Sequence, residues 1–371
     1  MHILFAGGGT AGHINPALAI AGYVKEKHPD AKISYIGTAN KLEAKLVPEC
    51  GYDFYTIDVA GFQRKLTPKN VARNVSAAVK AVTSSVKARQ LLKSLKPDLV
   101  IGTGGYVSGP VLKQAQKLGI KTAIHEQNAY PGVTTKMLAP GANRVMLAMA
   151  EAQKHLKLNN EPVITGNPVR QALLNISREE ARAKLGIGDK PLILSFGGSL
   201  GARAINESVS ELIKWHNGSG KYHHIHGTGK VGYDAMMLSL DGVKLCYDIE
   251  IKEYIYDMDV CMAAADVVIC RAGAITLSEL QACGKASILI PSPYVAENHQ
   301  FHNAMTLKNV GAAEIIEEKD LSGEKLIDTF KSMTSDTALI SKMCQNAKNS
   351  AIIDANERIY KVICELLEIK Q

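Results

Sequence analysis

Short apolar runs recur along the chain. Each is closed by glycine or a polar turn and followed by apolar residues at three- and four-residue spacing. The first run, Ile3–Ala6, enters Gly7-Gly8-Gly9-Thr10-Ala11-Gly12-His13. A helical pattern follows, with Pro16 in its first turn and Ala17, Leu18, Ile20, Ala21 and Val24 apolar. Lys32–Ile36, Leu99–Ile101, Lys121–Ile124, Arg144–Ala148 and Val163-Ile164 read as further strands. After a turn cluster at Thr165-Gly166-Asn167-Pro168 the pattern begins again. Leu192–Phe196, Tyr222–His226, Val243–Asp248, Asp266–Cys270 and Ala286–Ile290 read as strands, the first of them entering a second glycine turn. Strands alternating with helices predict an α/β fold of two doubly wound parallel sheets. The expected division is 1–166 and 167–346. The tail 347–371 carries Ala351, Ile352, Ile359, Val362, Ile363 and Leu366 at helical spacing, and is expected to cross back onto the first domain.

The segment Leu192–Asn206 joins a buried strand, the turn Gly197-Gly198-Ser199-Leu200-Gly201 and a helix start. Glycines let a backbone approach an anion closely, and the free N–H groups of a helix start point at it. Ser199 can add a hydroxyl and Arg203 a charge; an ordinary strand-to-helix turn reads the same way. Gly7-x-Gly9-x-x-Gly12 fits the dinucleotide fingerprint, which also needs an acid at the end of the second strand. That strand ends Ile36-Gly37-Thr38-Ala39-Asn40, without a carboxylate, which argues against NAD or FAD. A neutral His13 beside the loop can take a proton from a hydroxyl, a helix start lowering its pKa; the alternative is a histidine that only caps the loop. Glu279 stands a little more than one turn into a helix, where a carboxylate can accept two hydrogen bonds from a ribose diol or sit as a surface acid favoured by the dipole. Gln300 lies in a polar stretch just after a strand end, where ligands bind in such sheets. Asp257-Met258-Asp259 mimics a metal motif but precedes an apolar helix, so it reads as a cap.

Composition sharpens this. The chain has 371 residues, enough for two domains, and a net charge of +7, which suits an anionic partner. Seven dispersed cysteines without a C-x-x-C suit reduced core thiols of a cytoplasmic protein, and no metal-ligand cluster is visible. No apolar run reaches membrane-span length, so any membrane contact is expected to be peripheral. Gly61–Pro97 holds Arg64, Lys65, Lys69, Arg73, Lys80, Lys87, Arg89, Lys93 and Lys96 and no acid. It also holds a stripe of Val71, Val75, Val79, Val82 and Val86. The stripe reads first as the face of a helix packed on the sheet. The bases exceed what solubility needs and suit an anionic membrane surface; nucleic acid is the rival, without aromatic interleaving or a binding motif.

GGGTAGH, GTGGYVSGP, HEQN, TGNPVR, FGGSLGAR, CRAGAITLSE and ENHQFHNA, in this order, resemble the MurG family of glycosyltransferases, family 28. The resemblance covers nearly the whole chain. It implies a GT-B fold, two Rossmann-like domains facing across a cleft, and an inverting hexosyltransferase. That enzyme moves N-acetylglucosamine from UDP-N-acetylglucosamine to the C4 hydroxyl of undecaprenyl-pyrophosphoryl-N-acetylmuramyl pentapeptide, at the cytoplasmic face of the cell membrane. It implies no metal and no cofactor. Carried over, Thr10, Ala11 and Gly12 touch the donor and Asn128 its sugar hydroxyls. Arg170 and Ser199 hold the pyrophosphate, Ile255 meets uracil through its backbone, Glu279 holds the ribose, and Gln300 the sugar or phosphate. His13 and the Gly104–Gly109 loop, with Gly104, Gly105, Tyr106 and Ser108, face the acceptor diphosphate, and His13 is the candidate base. The first domain takes the lipid acceptor and the second the nucleotide sugar. The basic, valine-striped segment corresponds to the family's membrane-docking face, here without bulky aromatics. A relative acting on diacylglycerol or a natural product, an NAD-dependent oxidoreductase and a nucleic-acid-binding module are the competing classes.

Overall fold

The structure, a computed structural model, describes residues 1–59 and 68–369; of residues 68–79 it describes the backbone alone. The chain forms two compact units, Met1–Pro168 with Asp354–Gln371, and Val169–Ile353. In the first, seven strands pair in parallel: β1 (His2–Gly7), β2 (Lys32–Gly37), β3 (Asp53–Thr56), β4 (Leu99–Gly104), β5 (Lys121–Glu126), β6 (Arg144–Leu147) and β7 (Val163–Ile164). Their order is β3-β2-β1-β4-β5-β6-β7, which reverses direction between β1 and β4. Ile3, Leu4, Phe5 and Ala6 are fully buried, because a central parallel strand is covered on both faces.

The second unit repeats the plan with β8 (Leu192–Phe196), β9 (His223–Gly227), β10 (Ile249–Lys252), β11 (Val267–Cys270), β12 (Ala286–Leu289) and β13 (Ala313–Ile315). Its order is β10-β9-β8-β11-β12-β13. Two strands escape the sequence reading, β3 and β13. Both are short edge strands with weakly apolar sequence, DFYT and AEI. One expected strand is displaced. Val243–Asp248 is a loop, and β10 begins at Ile249, where pairing with His224 starts. Asp257 occupies the N-cap of the helix Met258–Ala264, but its side chain makes no capping hydrogen bond.

Two surface expectations change as well. On the helix Pro68–Leu95 the packing face is Ser84, Ala88 and Leu92, while Val82 and Val86 are 65% and 54% exposed. The part of the valine stripe with described side chains therefore faces away from the sheet. Lys80 pairs with Asp58 at 3.1 Å, an acid just outside the basic segment, whereas Lys87, Arg89 and Lys93 are exposed. Arg64 and Lys65, and the side chains of Lys69, Arg73, Val71, Val75 and Val79, lie outside the described residues. The tail also divides differently. The helix Thr337–Asn349 stays with the second unit, where Gln281 Nε2 donates to Ser350 Oγ at 2.9 Å. Only the helix Ala355–Leu367 packs on the first sheet, burying Ile359, Val362, Ile363 and Leu366 against Ile3 and Phe5; His28 Nε2 lies 2.7 Å from the Tyr360 hydroxyl. Among the described residues no helix is long and apolar enough to cross a membrane.

A chain of buried imidazoles runs through the second sheet. His226 Nδ1 lies 3.2 Å from the Ser195 carbonyl, which only accepts, so that nitrogen carries the proton. Ser195 Oγ, 2.7 Å from the same nitrogen, then donates to His224 Nε2 at 2.8 Å, and His224 Nδ1 donates to His216 Nε2 at 2.9 Å. All three imidazoles are thus neutral, with His226 Nε2 buried and unpartnered. Burial lowers the pKa of His216 and His226 to about 4 and that of His224 well below the ordinary value. The unfolded chain takes up protons below the ordinary imidazole pKa of about 6.5 while the folded chain does not, so stability falls as pH drops through that window. The expected loss is about 1 kcal/mol per pH unit for each histidine. Thermal melting of the full chain between pH 7.5 and 5 checks this; a flat profile contradicts it.

Candidate functional site

In the first unit the site forms where the strand order reverses. Gly7 at the end of β1 pairs with Gly104 at the end of β4, across an irregularity in the register. A Cβ on Gly105, at φ +78°, would stand 2.3 Å from the Gly8 carbonyl oxygen, so the two loops touch backbone to backbone. A Cβ on Gly104, at φ +108°, would meet the His13 ring at 2.7 Å. Thr10 is the N-cap of the helix Ala11–Lys27 but makes no side-chain cap, which leaves the N–H groups of Ala11 and Gly12 at an open helix start. His13 Nδ1 lies 3.1 Å from the Gly8 carbonyl and 3.3 Å from Thr10 Oγ1. The carbonyl only accepts, so Nδ1 carries the proton and Nε2 the lone pair, the arrangement a general base needs.

Tyr106 is 62% exposed on the first turn of the helix Gly105–Lys117. Ser108 is not available to a ligand. It is buried, its hydroxyl lies 2.7 Å from the Ala6 carbonyl and 2.8 Å from that of Gly104, and it accepts from the Gly104 N–H at 3.1 Å. It pins the two loops together and shapes the Gly104–Gly105 loop from behind.

The HEQN segment follows β5. Glu126, buried, accepts from the Asn128 N–H and Nδ2 at 3.1 Å each, from the Gly132 N–H at 3.1 Å and from Thr135 Oγ1 at 2.5 Å. One carboxylate thus shapes the whole turn and aims the Asn128 amide. His125 Nε2 lies 3.0 Å from the Gly166 carbonyl, and its Nδ1 faces Gln127 Nε2 at 3.1 Å. These two side chains belong to the scaffold.

In the second unit a pocket of about 610 Å³ opens at the ends of β8, β11 and β12. Ser199 and Gln300 both line it, with Arg203, Arg271, Tyr294 and Glu318. The helix Arg203–His216 begins behind Ala202, which cannot cap it, so its first N–H groups face solvent or a ligand. The side-chain cations are largely neutralised within the unit. Arg203 pairs with Glu207 at 2.7 Å; Arg271 pairs with Glu318 and donates to the Ile290 carbonyl at 3.1 Å. Anion affinity here therefore falls mainly to backbone amides and the helix dipole. Gln300 Oε1 accepts from the Ser292 N–H at 2.9 Å, which leaves its amide NH₂ as what it can offer a ligand.

Arg170 and Glu279 meet as an ion pair, Nε to Oε1 at 2.7 Å. Glu279 is nearly buried, and desolvation raises its pKa against the opposing pull of Arg170. One carboxylate oxygen thus already holds Arg170. Ile255 is buried beside Gly227 in the turn after β10, so a ligand can reach it only through its backbone.

The expected residues thus group as Thr10–His13 with Gly104 and Gly105, Asn128 on its own turn, Ser199 with Gln300, Arg170 with Glu279, and Ile255 apart. Sequence reading passed over the carboxylates behind these groups. Glu126 lies inside a quoted motif, and Glu318 is 47 residues from the arginine it neutralises. Glu43 lies six residues beyond Gly37, past the position where the dinucleotide rule looks for an acid. Its carboxylate is turned under the first glycine loop, fully buried, and cannot reach a ribose.

Two parallel sheets of Rossmann order, each with an uncapped helix start at its switch point, make the GT-B fold. Residues 3–147 match the glycosyltransferase family 28 N-terminal domain, and residues 192–359 the family 28 C-terminal domain. The UDP-N-acetylglucosamine–N-acetylmuramyl-(pentapeptide) pyrophosphoryl-undecaprenol N-acetylglucosamine transferase of Acetivibrio thermocellus is 48% identical, covering 100% of this chain and 99% of that protein. The enzyme so named from Ruminiclostridium cellulolyticum is 44% identical over 99% of this chain and 100% of its own. The crystal structure of Acinetobacter baumannii MurG superposes with a TM-score of 0.80 at 30% identity, covering 98% of this chain and 99% of that one. The chain belongs to glycosyltransferase family 28.

Gly105→Ala is expected to place a methyl into the Gly8 carbonyl at a positive φ. The cost should be roughly 2 kcal/mol or more, with loss of transferase activity. Melting temperature and turnover together check this; a variant with parental values of both contradicts the loop contact.

Proposed function

We propose that this chain transfers N-acetylglucosamine from UDP-N-acetylglucosamine to the C4 hydroxyl of undecaprenyl-pyrophosphoryl-N-acetylmuramyl pentapeptide. The observation that carries the substrate assignment is the full-length similarity to transferases named for that reaction. The pocket at the end of β8 supports the donor half of the reading, since its amides suit a diphosphate. In this reading the unit Val169–Ile353 takes the nucleotide sugar, with Ser199 and the helix-start amides on the phosphates and Glu279 on the ribose. Arg170 then serves the diphosphate while staying tied to Glu279, and Gln300 offers its NH₂ to sugar or phosphate. The unit Met1–Pro168 takes the acceptor through Gly104, Gly105 and Tyr106. Thr10, Ala11, Gly12 and Asn128 address the donor sugar.

The chemistry is an inverting displacement. The acceptor oxygen forms a bond to the anomeric carbon as the bond to the β-phosphate oxygen breaks, and UDP leaves with that electron pair. His13 Nε2 takes the hydroxyl proton. Charge growing on the β-phosphate is stabilised by amides already oriented before the reaction. No step calls for a metal ion or cofactor.

Exposed Val82 and Val86 beside Lys87, Arg89 and Lys93 support a peripheral membrane face on the helix Pro68–Leu95. Basic residues near anionic headgroups contribute roughly 1 kcal/mol each, so a few in one plane suffice for reversible attachment. The cytoplasmic leaflet, where UDP-sugars are found, is the side this reading requires.

UDP release from UDP-N-acetylglucosamine, measured with and without a short-chain analogue of the lipid acceptor, tests the assignment. Release should require the analogue. Donor binding without release hands the acceptor to another lipid, diacylglycerol being the first to try. Glu279→Ala should weaken UDP binding by about tenfold or more, since it removes a ribose acceptor and frees Arg170. Calorimetric titration with UDP gives the answer, and unchanged affinity removes Glu279 from the nucleotide site.

A further inference from the structure

Glu43 opens the short helix Glu43–Glu49, just after β2, and its side chain is fully buried. Its Oε2 accepts from the Gly9 N–H at 3.2 Å, and its Oε1 from the Thr38 N–H at 3.1 Å and the Thr38 hydroxyl at 2.7 Å. No lysine, arginine or histidine pairs with it among the described residues. A buried carboxylate held by neutral donors alone is costly, so its retention here needs a reason beyond packing.

Its neighbours supply one. A Cβ on Gly8 would stand 2.4 Å from Glu43 Oε1, so the carboxylate fills the space where residue 8 would carry a side chain. On the other side Gly105 closes to van der Waals distance of the Gly8 carbonyl. That carbonyl is the one that His13 Nδ1 faces at 3.1 Å. Gly8 is thus gripped between a carboxylate and a second backbone, and the oxygen it presents fixes the His13 tautomer. The same carboxylate holds Gly9, next to Thr10, which shares the His13 proton.

We propose that Glu43 is a positioning residue for the His13 base: through Gly8 and Gly9 it holds the carbonyl that keeps the proton on Nδ1 and so keeps the Nε2 lone pair aimed at the acceptor hydroxyl. This rests on the reading of His13 as the base. The other titratable groups nearby do not compete. The Tyr35 hydroxyl, 3.1 Å from where a Cβ on Gly7 would stand, is kept protonated because burial and Glu43 itself push its pKa up. Tyr106 is open to solvent.

The test is acceptor-dependent UDP release by the full chain for the parent, Glu43→Gln, Glu43→Asp, His13→Ala and the His13→Ala/Glu43→Gln double variant. Glu43→Gln should lower kcat about ten- to a hundredfold, since it faces the Gly9 N–H with a donor or breaks the Thr38 contacts. Its KM for UDP-N-acetylglucosamine should stay within about threefold of the parent. Glu43→Asp has too short a side chain to reach Gly9 and Thr38 together, so it should lose part of kcat with the same unchanged KM. Glu43→Gln should cost nothing further in the His13→Ala background.

A Glu43→Gln variant that melts lower yet keeps the parental kcat makes Glu43 a structural residue only and overturns the proposal. Should that variant not fold, a Glu43→Asp variant with parental kcat overturns it equally. Full additivity in the double variant overturns it too, since Glu43 then acts independently of His13. His13→Ala with near-parental turnover removes the base and the proposal with it. Loss of turnover in His13→Ala beside a parental Glu43→Gln leaves the base standing and removes only the role of Glu43.

Discussion

Contact of backbone with backbone between neighbouring loops at the strand ends, across the switch point in the first unit and between the loops after β8 and β9 in the second, is the constraint on which the rest of this structure depends. In the first unit Gly105 lies against the Gly8 carbonyl, and in the second a Cβ on Gly201 would stand 2.1 Å from the Thr228 carbonyl oxygen. Both glycines adopt positive φ, which only glycine takes without strain. A parallel sheet that reverses its strand order leaves a crevice at the strand ends, and a ligand there is met by loops and not by side chains of the core. Closing the loops on each other makes that crevice rigid. Leaving the helix starts uncapped makes it attractive to anions.

A second layer of order comes from carboxylates turned onto the protein's own donors. Glu43 sits under the first glycine loop and Glu126 inside the turn that carries Asn128. Asp266 accepts from the Leu192 N–H at 2.8 Å and binds Arg178 and Arg182 at the start of β8. Each fixes several backbone or side-chain donors with one side chain. The second unit adds Glu318, which with Glu207 neutralises the arginines of its pocket. In the proposed reaction the pocket would hold the diphosphate by oriented amides, whose dipoles need no reorganisation as charge develops on a leaving phosphate. Strain is concentrated beside this pocket: Glu297 and Asn298 take φ of +54° and +51° in succession, just before the helix that carries Gln300. Such conformations cost roughly 1–3 kcal/mol each and persist only where the surroundings impose them.

Much of this was legible in the residues. Every strand of the two sheet centres was visible, most of them because a strand covered on both faces tends to be an apolar run, as ILFA and LILSF are, and β9, HHIHG, by the glycine turn that closes it. The glycine loops were visible because close approach leaves glycine little choice. The C-terminal helix declared its packing face by its spacing. Edge strands DFYT and AEI were not visible, since their pairing to β2 and β12 is what makes them strands. Val243–Asp248 has strand-like composition but no partner strand at that register. The valine stripe misled at Val82 and Val86 because spacing defines a face and does not say which face meets the sheet; small residues, Ser84 and Ala88, let the helix approach more closely.

The sequence by itself determined the fold class, the family and the chemical character of the loops, for these follow from local rules: apolar runs, turn residues and motif order along one chain. The tertiary structure alone decided how the functional side chains are used. It turned Ser108 inward as a pin, tied Arg170 to Glu279 across 109 residues and put the proton of His13 on Nδ1 by setting a carbonyl 3.1 Å from it. It also placed Glu43 beneath the first glycine loop. These are matters of distance and direction between segments far apart in the chain. Hydrogen bonds and ion pairs depend on ångströms and angles that residue order does not record.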